Sequence, residues 1–172
     1  MTKPLALITG AAVGIGRATL PRLAEAGWAL HLVDPDPAVA DLAAEHGATH
    51  AVSALDTPEA CRAALPPGDA PIRGFVHLAG IFRPHAFAPE DRPVFDANMQ
   101  ANAINAYDMT AAVLPRMPRG DTGPGSARIV FISSLAFNRG APDHVGYSMA
   151  KGALVGLTRS LNREYAGQGI LT

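Results

Sequence analysis

Short aliphatic and β-branched runs alternate along the chain with Ala-rich stretches whose apolar positions recur at helical spacing. Residues 4–9 form the first apolar run, ending at Gly10, and residues 15–26 form the first helical stretch, stopped by Gly27. A second strand over 28–33 closes in Asp34-Pro35-Asp36-Pro37, where two prolines fix φ. The alternation continues with a helix over 38–46 stopped by Gly47 and a strand over 49–54. A short helix then runs to Ala64, capped by Thr57 and opened by Pro58. A fourth strand over 72–79 ends at Gly80. Residues 91–117 read as largely helical, with a kink or final turn at Pro115. A surface loop over 119–126 is expected to be the most mobile segment, followed by a strand over 127–132 and a long helix over 147–166. Repeated strand–helix units with apolar strands predict one α/β domain, a doubly wound parallel sheet with helices on both faces.

Composition agrees with a folded domain and narrows its partners. The 172 residues are 48% hydrophobic and 17% charged, which excludes a disordered chain. No run approaches the roughly 18 consecutive apolar residues of a membrane-spanning helix, and no signal peptide is evident at the start, so no membrane partner is expected. One cysteine, Cys61, excludes a disulfide framework and a four-cysteine zinc site, and a reducing cytoplasm is the natural compartment. No metal is assigned. A net charge of −1 gives no field that would gather nucleic acid or anionic lipid.

The first chemical signal is Thr9-Gly10-Ala11-Ala12-Val13-Gly14-Ile15-Gly16, which joins the first strand to the first helix. Glycines allow a tight turn and a close approach of phosphate, and a helix N-terminus offers free N–H groups to a pyrophosphate. The spacing G-x-x-x-G-x-G differs from the G-x-G-x-x-G dinucleotide fingerprint. Asp34 follows Gly16 by 18 residues, where a carboxylate is expected to accept hydrogen bonds from an adenosine ribose. Its charge would repel a 2′-phosphate, and Pro35 supplies no neutralising cation, so NAD is favoured over NADP. The same Asp could instead simply open the turn before Pro35.

The second signal is Tyr147-Ser148-Met149-Ala150-Lys151, a phenol and an ammonium on one helix face, in a chain whose lysines are Lys3 and Lys151 alone. A cation beside a phenol favours the phenolate and brings tyrosine towards use as an acid or base. A surface Tyr–Lys contact is the plainer alternative. Ser134 lies at the end of the fifth strand, where parallel α/β folds carry ligand sites, beside Ser133. Asn102 sits in an Ala-rich helical stretch, where a helix–helix hydrogen bond would also account for it.

Together these residues resemble the short-chain dehydrogenase/reductase family over essentially the whole chain. The matching positions are the Thr9–Gly16 loop, Asp34, Asp56, Ala79-Gly80, Asn102, Ser134 and Tyr147-x-x-x-Lys151, with Tyr147 thirteen positions after Ser134. The resemblance implies a Rossmann-like three-layer α/β/α fold that moves hydride between a nicotinamide cofactor and a secondary alcohol or ketone. By the same resemblance Tyr147 is the general acid/base, Ser134 holds the reacting oxygen, and Lys151 grips the nicotinamide ribose. Asn102 supports a proton relay, and Asp56 contacts adenine. The cofactor set is then Gly10, Val13, Gly14, Ile15, Gly16, Asp34, Asp56, His77, Ala79, Gly80, Tyr147 and Lys151.

Two departures qualify the match. His77-Leu78-Ala79-Gly80 stands where the family often has Asn-Asn-Ala-Gly, so His77 must replace an amide in orienting the strand end and adenosine. The family also continues past the Lys151 helix into a sixth strand and a substrate-covering segment, whereas this chain ends at Gly169-Ile170-Leu171-Thr172. An oxidoreductase is therefore weighed against a catalytically silent nucleotide-binding or regulatory module. Phe82, His85, Phe87, Phe137, His144 and Met149 are candidate substrate contacts or ordinary loop and core residues. The family implies a homodimer or homotetramer packed through the helices over 91–117 and 147–166.

Overall fold

Alternation inside the first strand builds two cores at once, because successive side chains of a strand point to opposite faces. Leu7 packs with Phe75, Ile129, Met109 and Val113 on one face of the sheet. Ala6 and Ile8 pack with Leu20, Leu32, Val39 and Leu42 on the other. The computed structural model describes residues 2–120 and 127–172.

In chain order the elements are β1 (Leu5–Thr9), α1 (Gly14–Glu25), β2 (Ala29–Asp34), α2 (Val39–Glu45), β3 (Thr49–Val52), α3 (Pro58–Ala63) and β4 (Ile72–His77). Then follow α4 (Arg92–Met99), α5 (Asn105–Val113), β5 (Ala127–Phe131), α6 (Leu135–Arg139), α7 (Val145–Tyr165) and β6 (Ile170–Leu171). All strand pairs are parallel, in the order β3-β2-β1-β4-β5-β6. Helices cover both faces, the Rossmann-like arrangement expected of the alternating pattern. Among the described residues no helix is long and apolar enough to cross a membrane.

The structure corrects the expected elements in three places. The helical stretch over 91–117 is not one helix. It divides into a 3₁₀ turn at Pro89–Asp91, α4, a π-helical turn at Gln100–Ile104, α5 and a final 3₁₀ turn at Leu114–Arg116 that contains Pro115. A helix that the apolar pattern missed, α6, starts directly after β5, with the Ser134 hydroxyl capping it by accepting from the Ala136 amide at 3.1 Å. The strand expected only beyond the chain has already begun, since Ile170 and Leu171 pair with Ala127 and Arg128 of β5. Most of the loop expected over 119–126 lies outside the described residues.

Phe75 is fully buried in β4 between β1 and β5. Phe75→Ala should lower the free energy of unfolding by about 3–5 kcal/mol, read from urea denaturation. A loss below 1 kcal/mol would contradict a core centred on this ring.

Candidate functional site

Strand order reverses between β1 and β4, so the connections leave these neighbours in opposite directions and open a crevice at their carboxyl ends. Gly10 turns the chain out of β1 at φ +65°, and a Cβ there would lie 2.7 Å from the backbone of Leu78 and Ala79. Gly16 sits so close to the Gly10 carbonyl oxygen that a Cβ could not be accommodated. The N-cap of α1 is Val13, which supplies no side-chain cap, and no acidic residue occupies the first turn. The leading amides of α1 are therefore left to an outside acceptor, as an anion site requires.

This crevice holds a cavity of about 560 Å³. Its lining includes Gly10, Val13, Gly14, Ile15 and Gly16, the carboxylates Asp34 and Asp56, and Ala79, Gly80 and Ile81. Val13 and Ile15 are 65% and 61% exposed, apolar surface that a ligand in the cavity would cover. Asp34 is buried, and its carboxylate accepts from the Ala12 amide at 2.9 Å and the Asp36 amide at 2.9 Å. A carboxylate has about four acceptor positions, so two remain for ribose hydroxyls. The shape, the uncapped helix and the carboxylate fit a dinucleotide.

Further lining residues escaped the sequence reading, among them Ser53, Leu55, Arg83 and Gln100. Leu55 adopts φ +55°, unusual for a branched residue and without a sequence signature. Arg83 has one signal, a cation three residues after the strand-end Gly80.

Two smaller cavities follow in series, one adjoining the first and the next adjoining that one. One of about 200 Å³ shares Ile15, Leu78, Gly80 and Ile81 with the first and is completed by Phe82, Asn102, Ser133, Tyr147 and Lys151, among others. The other, about 440 Å³, is lined by Phe82, Ser134, Leu135, Ala136, Arg139, Gly140, Ala141 and Tyr147. Tyr147 and Phe82 belong to both, so Tyr147 shares one cavity with Lys151 and the other with Ser134. The Phe82 ring meets Tyr147 edge-on at 4.8 Å and stacks on His144 at 4.0 Å.

Lys151 is buried, donates from Nζ to the Ile132 carbonyl at 3.1 Å and lies 5.6 Å from the centre of the Tyr147 ring. Burial draws its ammonium below the ordinary lysine range. Ser133 donates to the Lys151 carbonyl at 2.8 Å, which ties α7 to the end of β5. Asn102 is buried in the π-helical turn, and its amide nitrogen donates to the carbonyls of Ile81 at 2.8 Å and Asn98 at 3.0 Å. Its Oδ1 lies against Gly80, where a Cβ would collide with it. The side-chain donors of Asn102 are thus spent on bracing the Gly80 turn, so a proton relay would have to use other atoms.

His77, expected in the cofactor set, lines none of these cavities. It sits behind the strand end, where the Thr9 hydroxyl accepts from the amides of Leu78 at 3.2 Å and Ala79 at 3.3 Å and donates to His77 Nδ1 at 2.8 Å. His77 Nε2–H donates onward to Asn105 Oδ1 at 3.3 Å. Burial lowers the imidazole to about 4, opposed by the Asn105 bond and helped by the Lys151 charge. Its action on the cavity is indirect, through the Leu78–Ala79 backbone. Of the six aromatic, histidine and methionine side chains considered near the substrate, only Phe82 lines the cavities beside Tyr147. His85 and Phe87 line a separate cavity, Phe137 packs on Gly152, His144 backs Phe82, and Met149 is half exposed.

Residues 4–172 match the family model described as short chain dehydrogenase. The chain is 34% identical over 179 residues to the oxidoreductase UcpA of Escherichia coli strain K12, covering 99% of this chain and 66% of that protein. It is 30% identical over 174 residues to a 2-dehydro-3-deoxy-L-rhamnonate dehydrogenase (NAD(+)) of a Sphingomonas species, covering 96% of this chain and 68% of the relative. A crystal structure of a Burkholderia xenovorans protein, described as a short-chain dehydrogenase/reductase, superposes with a TM-score of 0.82 at 28% identity. That match covers 99% of this chain and 74% of the other. The chain thus spans about two thirds of the length of the curated relatives it matches.

The neutral His77 gives a pH signature. Its folded value near 4 lies below the ordinary 6.5, so between these pH values the unfolded chain binds a proton that the fold refuses. Stability from this residue is therefore whole above pH 6.5 and falls as pH drops towards 4. Between pH 7.5 and 4.5 the wild type should lose about 2–3 kcal/mol more than His77→Asn in urea unfolding. Equal losses would remove His77 as the buried neutral group.

Proposed function

The chain belongs to the short-chain dehydrogenase/reductase family, and on that premise we propose that it catalyses oxidation of a secondary alcohol or reduction of the matching ketone with a nicotinamide dinucleotide. The observation that carries this reading is the run of three cavities with shared walls, from Asp34 past Gly80 to Tyr147 and Ser134. For a dinucleotide along it, Asp34 would hold the first ribose, the start of α1 the pyrophosphate and Lys151 the second ribose. Asp56 lies at the adenine end. When bound, the nicotinamide supplies the hydride chemistry at the carbinol carbon.

The chain's own residues manage the oxygen. In oxidation Tyr147 takes the hydroxyl proton of the alcohol, and in reduction it returns a proton to the oxygen as negative charge develops there. The Ser134 hydroxyl, on the same cavity wall as Tyr147, holds that oxygen by a hydrogen bond. Lys151 is fixed by the Ile132 carbonyl and keeps a positive charge behind the phenol. The Asp34 carboxylate and the absence of a cation at Pro35 support NAD over NADP, since a 2′-phosphate would meet a negative charge.

Arg139 is the one charged side chain lining the Ser134–Tyr147 cavity and has no ion-pair partner among the described residues. One relative is named for a sugar acid. Hydroxy acids and keto acids are thus the first substrates to assay.

Tyr147→Phe should abolish turnover of a panel of secondary alcohols while NADH affinity, read by fluorescence, changes less than about threefold. Retained activity would refute Tyr147 as the acid/base, and binding without turnover in the wild type would favour the nucleotide-binding module. NADH should bind at least about tenfold more tightly than NADPH, and Asp34→Ala should narrow that ratio. A wild-type preference for NADPH would overturn the assignment of Asp34.

A further inference from the structure

The catalytic helix is capped by a residue from another part of the chain. First-turn amides of a helix have no acceptor within it, and a side chain just before the helix commonly supplies one. Here the preceding residue is His144, which makes no such cap and turns its Nδ1–H to the Pro142 carbonyl at 2.7 Å. Gly146, the second residue of α7, is buried and still needs an acceptor. Its N–H donates to Nε2 of His85 at 3.0 Å, from a residue 61 positions upstream.

The contact fixes the state of the His85 ring. Nδ1 lies 2.8 Å from the Ala86 carbonyl, which accepts only from an N–H, and Nε2 faces the Gly146 N–H, which needs a lone pair. His85 is therefore the neutral tautomer protonated on Nδ1. Its backbone repeats the tie, donating to the Asp143 carbonyl at 2.7 Å from the other side of the α7 start. Gly146 leaves no slack: a Cβ would come within 3.1 Å of His85 Nε2 and the Phe95 ring and 3.3 Å of Asn98 Cβ.

We propose that His85 is a positioning residue for Tyr147. It caps α7 from the segment joining β4 to α4 and so seats the first turn of α7 against Phe82 of that segment. The connection to function rests on Tyr147 being the acid/base. Tyr147 directly follows Gly146, and Phe82, three residues before His85, meets the Tyr147 ring at 4.8 Å. One segment thus touches both the amide that anchors the turn and the phenol that the turn carries. A displacement of about 1 Å at a reacting group can cost on the order of a hundredfold in rate, so the capping bond acts on alignment.

Three measurements on the full chain test this. Nitrogen-15 spectra of the wild type should show His85 protonated on Nδ1 and bare on Nε2. His85→Leu removes the acceptor, while His85→Gln places an amide oxygen where Nε2 stood. The Leu variant should lower kcat about tenfold or more, with NADH Kd changed less than threefold and exchange of the Gly146 amide accelerated at least tenfold. The Gln variant should return kcat and exchange to within about threefold of wild type.

Wild-type kcat and exchange in the Leu variant would overturn the proposal, as would equal impairment by Gln and Leu, or a proton on Nε2 in the wild type. If the Leu variant does not fold, the wild-type tautomer and the Gln variant decide. An active Tyr147→Phe enzyme would overturn the acid/base reading, whereas a failure of the tether alone appears as unchanged Gly146 exchange in the Leu variant.

Discussion

Everything at the ligand-facing edge of this sheet depends on one hydroxyl. Thr9 closes β1, and its Oγ1 receives the amides of Leu78 and Ala79 just beyond β4 while giving its own proton to His77. These groups are buried or nearly so, and an unmet amide there would cost on the order of 1–3 kcal/mol. The bonds hold the end of β4 against the Gly10 turn, closely enough that Gly10 has no space for a side chain. The crevice for a dinucleotide is therefore a product of backbone proximity. The walls that a ligand meets inherit their position from a hydrogen-bond junction that the ligand does not touch.

The same junction sorts the charges around the site. His77 and Lys151 are both buried basic groups, and two positive charges so placed would repel one another in a medium that screens poorly. The fold resolves this by leaving His77 neutral, because burial drives its proton off and the Lys151 charge pushes the same way. The histidine then serves as a hydrogen-bond relay between Thr9 and Asn105. Lys151 keeps a direct bond to the Ile132 carbonyl, at the end of the strand that delivers Ser133 and Ser134. The positive charge is thus concentrated beside Tyr147.

Sequence reasoning succeeded where the pattern was long or the residue types were scarce. The first strand of the sheet was legible because Leu5–Thr9 carries apolar residues on both faces. The Tyr147–Lys151 pair stood out because only two lysines exist in the chain. What escaped is local or three-dimensional. Helix α6 is five residues long, too short for periodicity, although a capping serine at 134 and a glycine at 140 with φ +73° bracket it. The π-helical turn at Gln100–Ile104 leaves the apolar spacing nearly unchanged, so a continuous helix was the natural expectation. The resemblance implies that His77 orients the strand end and adenosine, and its bond to Thr9 serves the strand end. Its orientation away from the crevice depends on Thr9 and Asn105, 68 and 28 positions away, which no local pattern encodes.

Asn102 shows how the two halves of the site constrain one another. Its Oδ1 occupies the space that a side chain at position 80 would need, and its amide nitrogen holds the Ile81 carbonyl. Gly80 can therefore lie on the floor shared by the large cavity and the Tyr147 cavity only because it lacks a Cβ, and only while Asn102 braces the turn from below. The brace comes from the π-helical turn, whose wider loop of backbone is a form found often at functional sites. The irregularity in the helix and the glycine at the strand end are consequently one device. Together they keep position 80 free of a side chain where the large cavity adjoins the Tyr147 cavity.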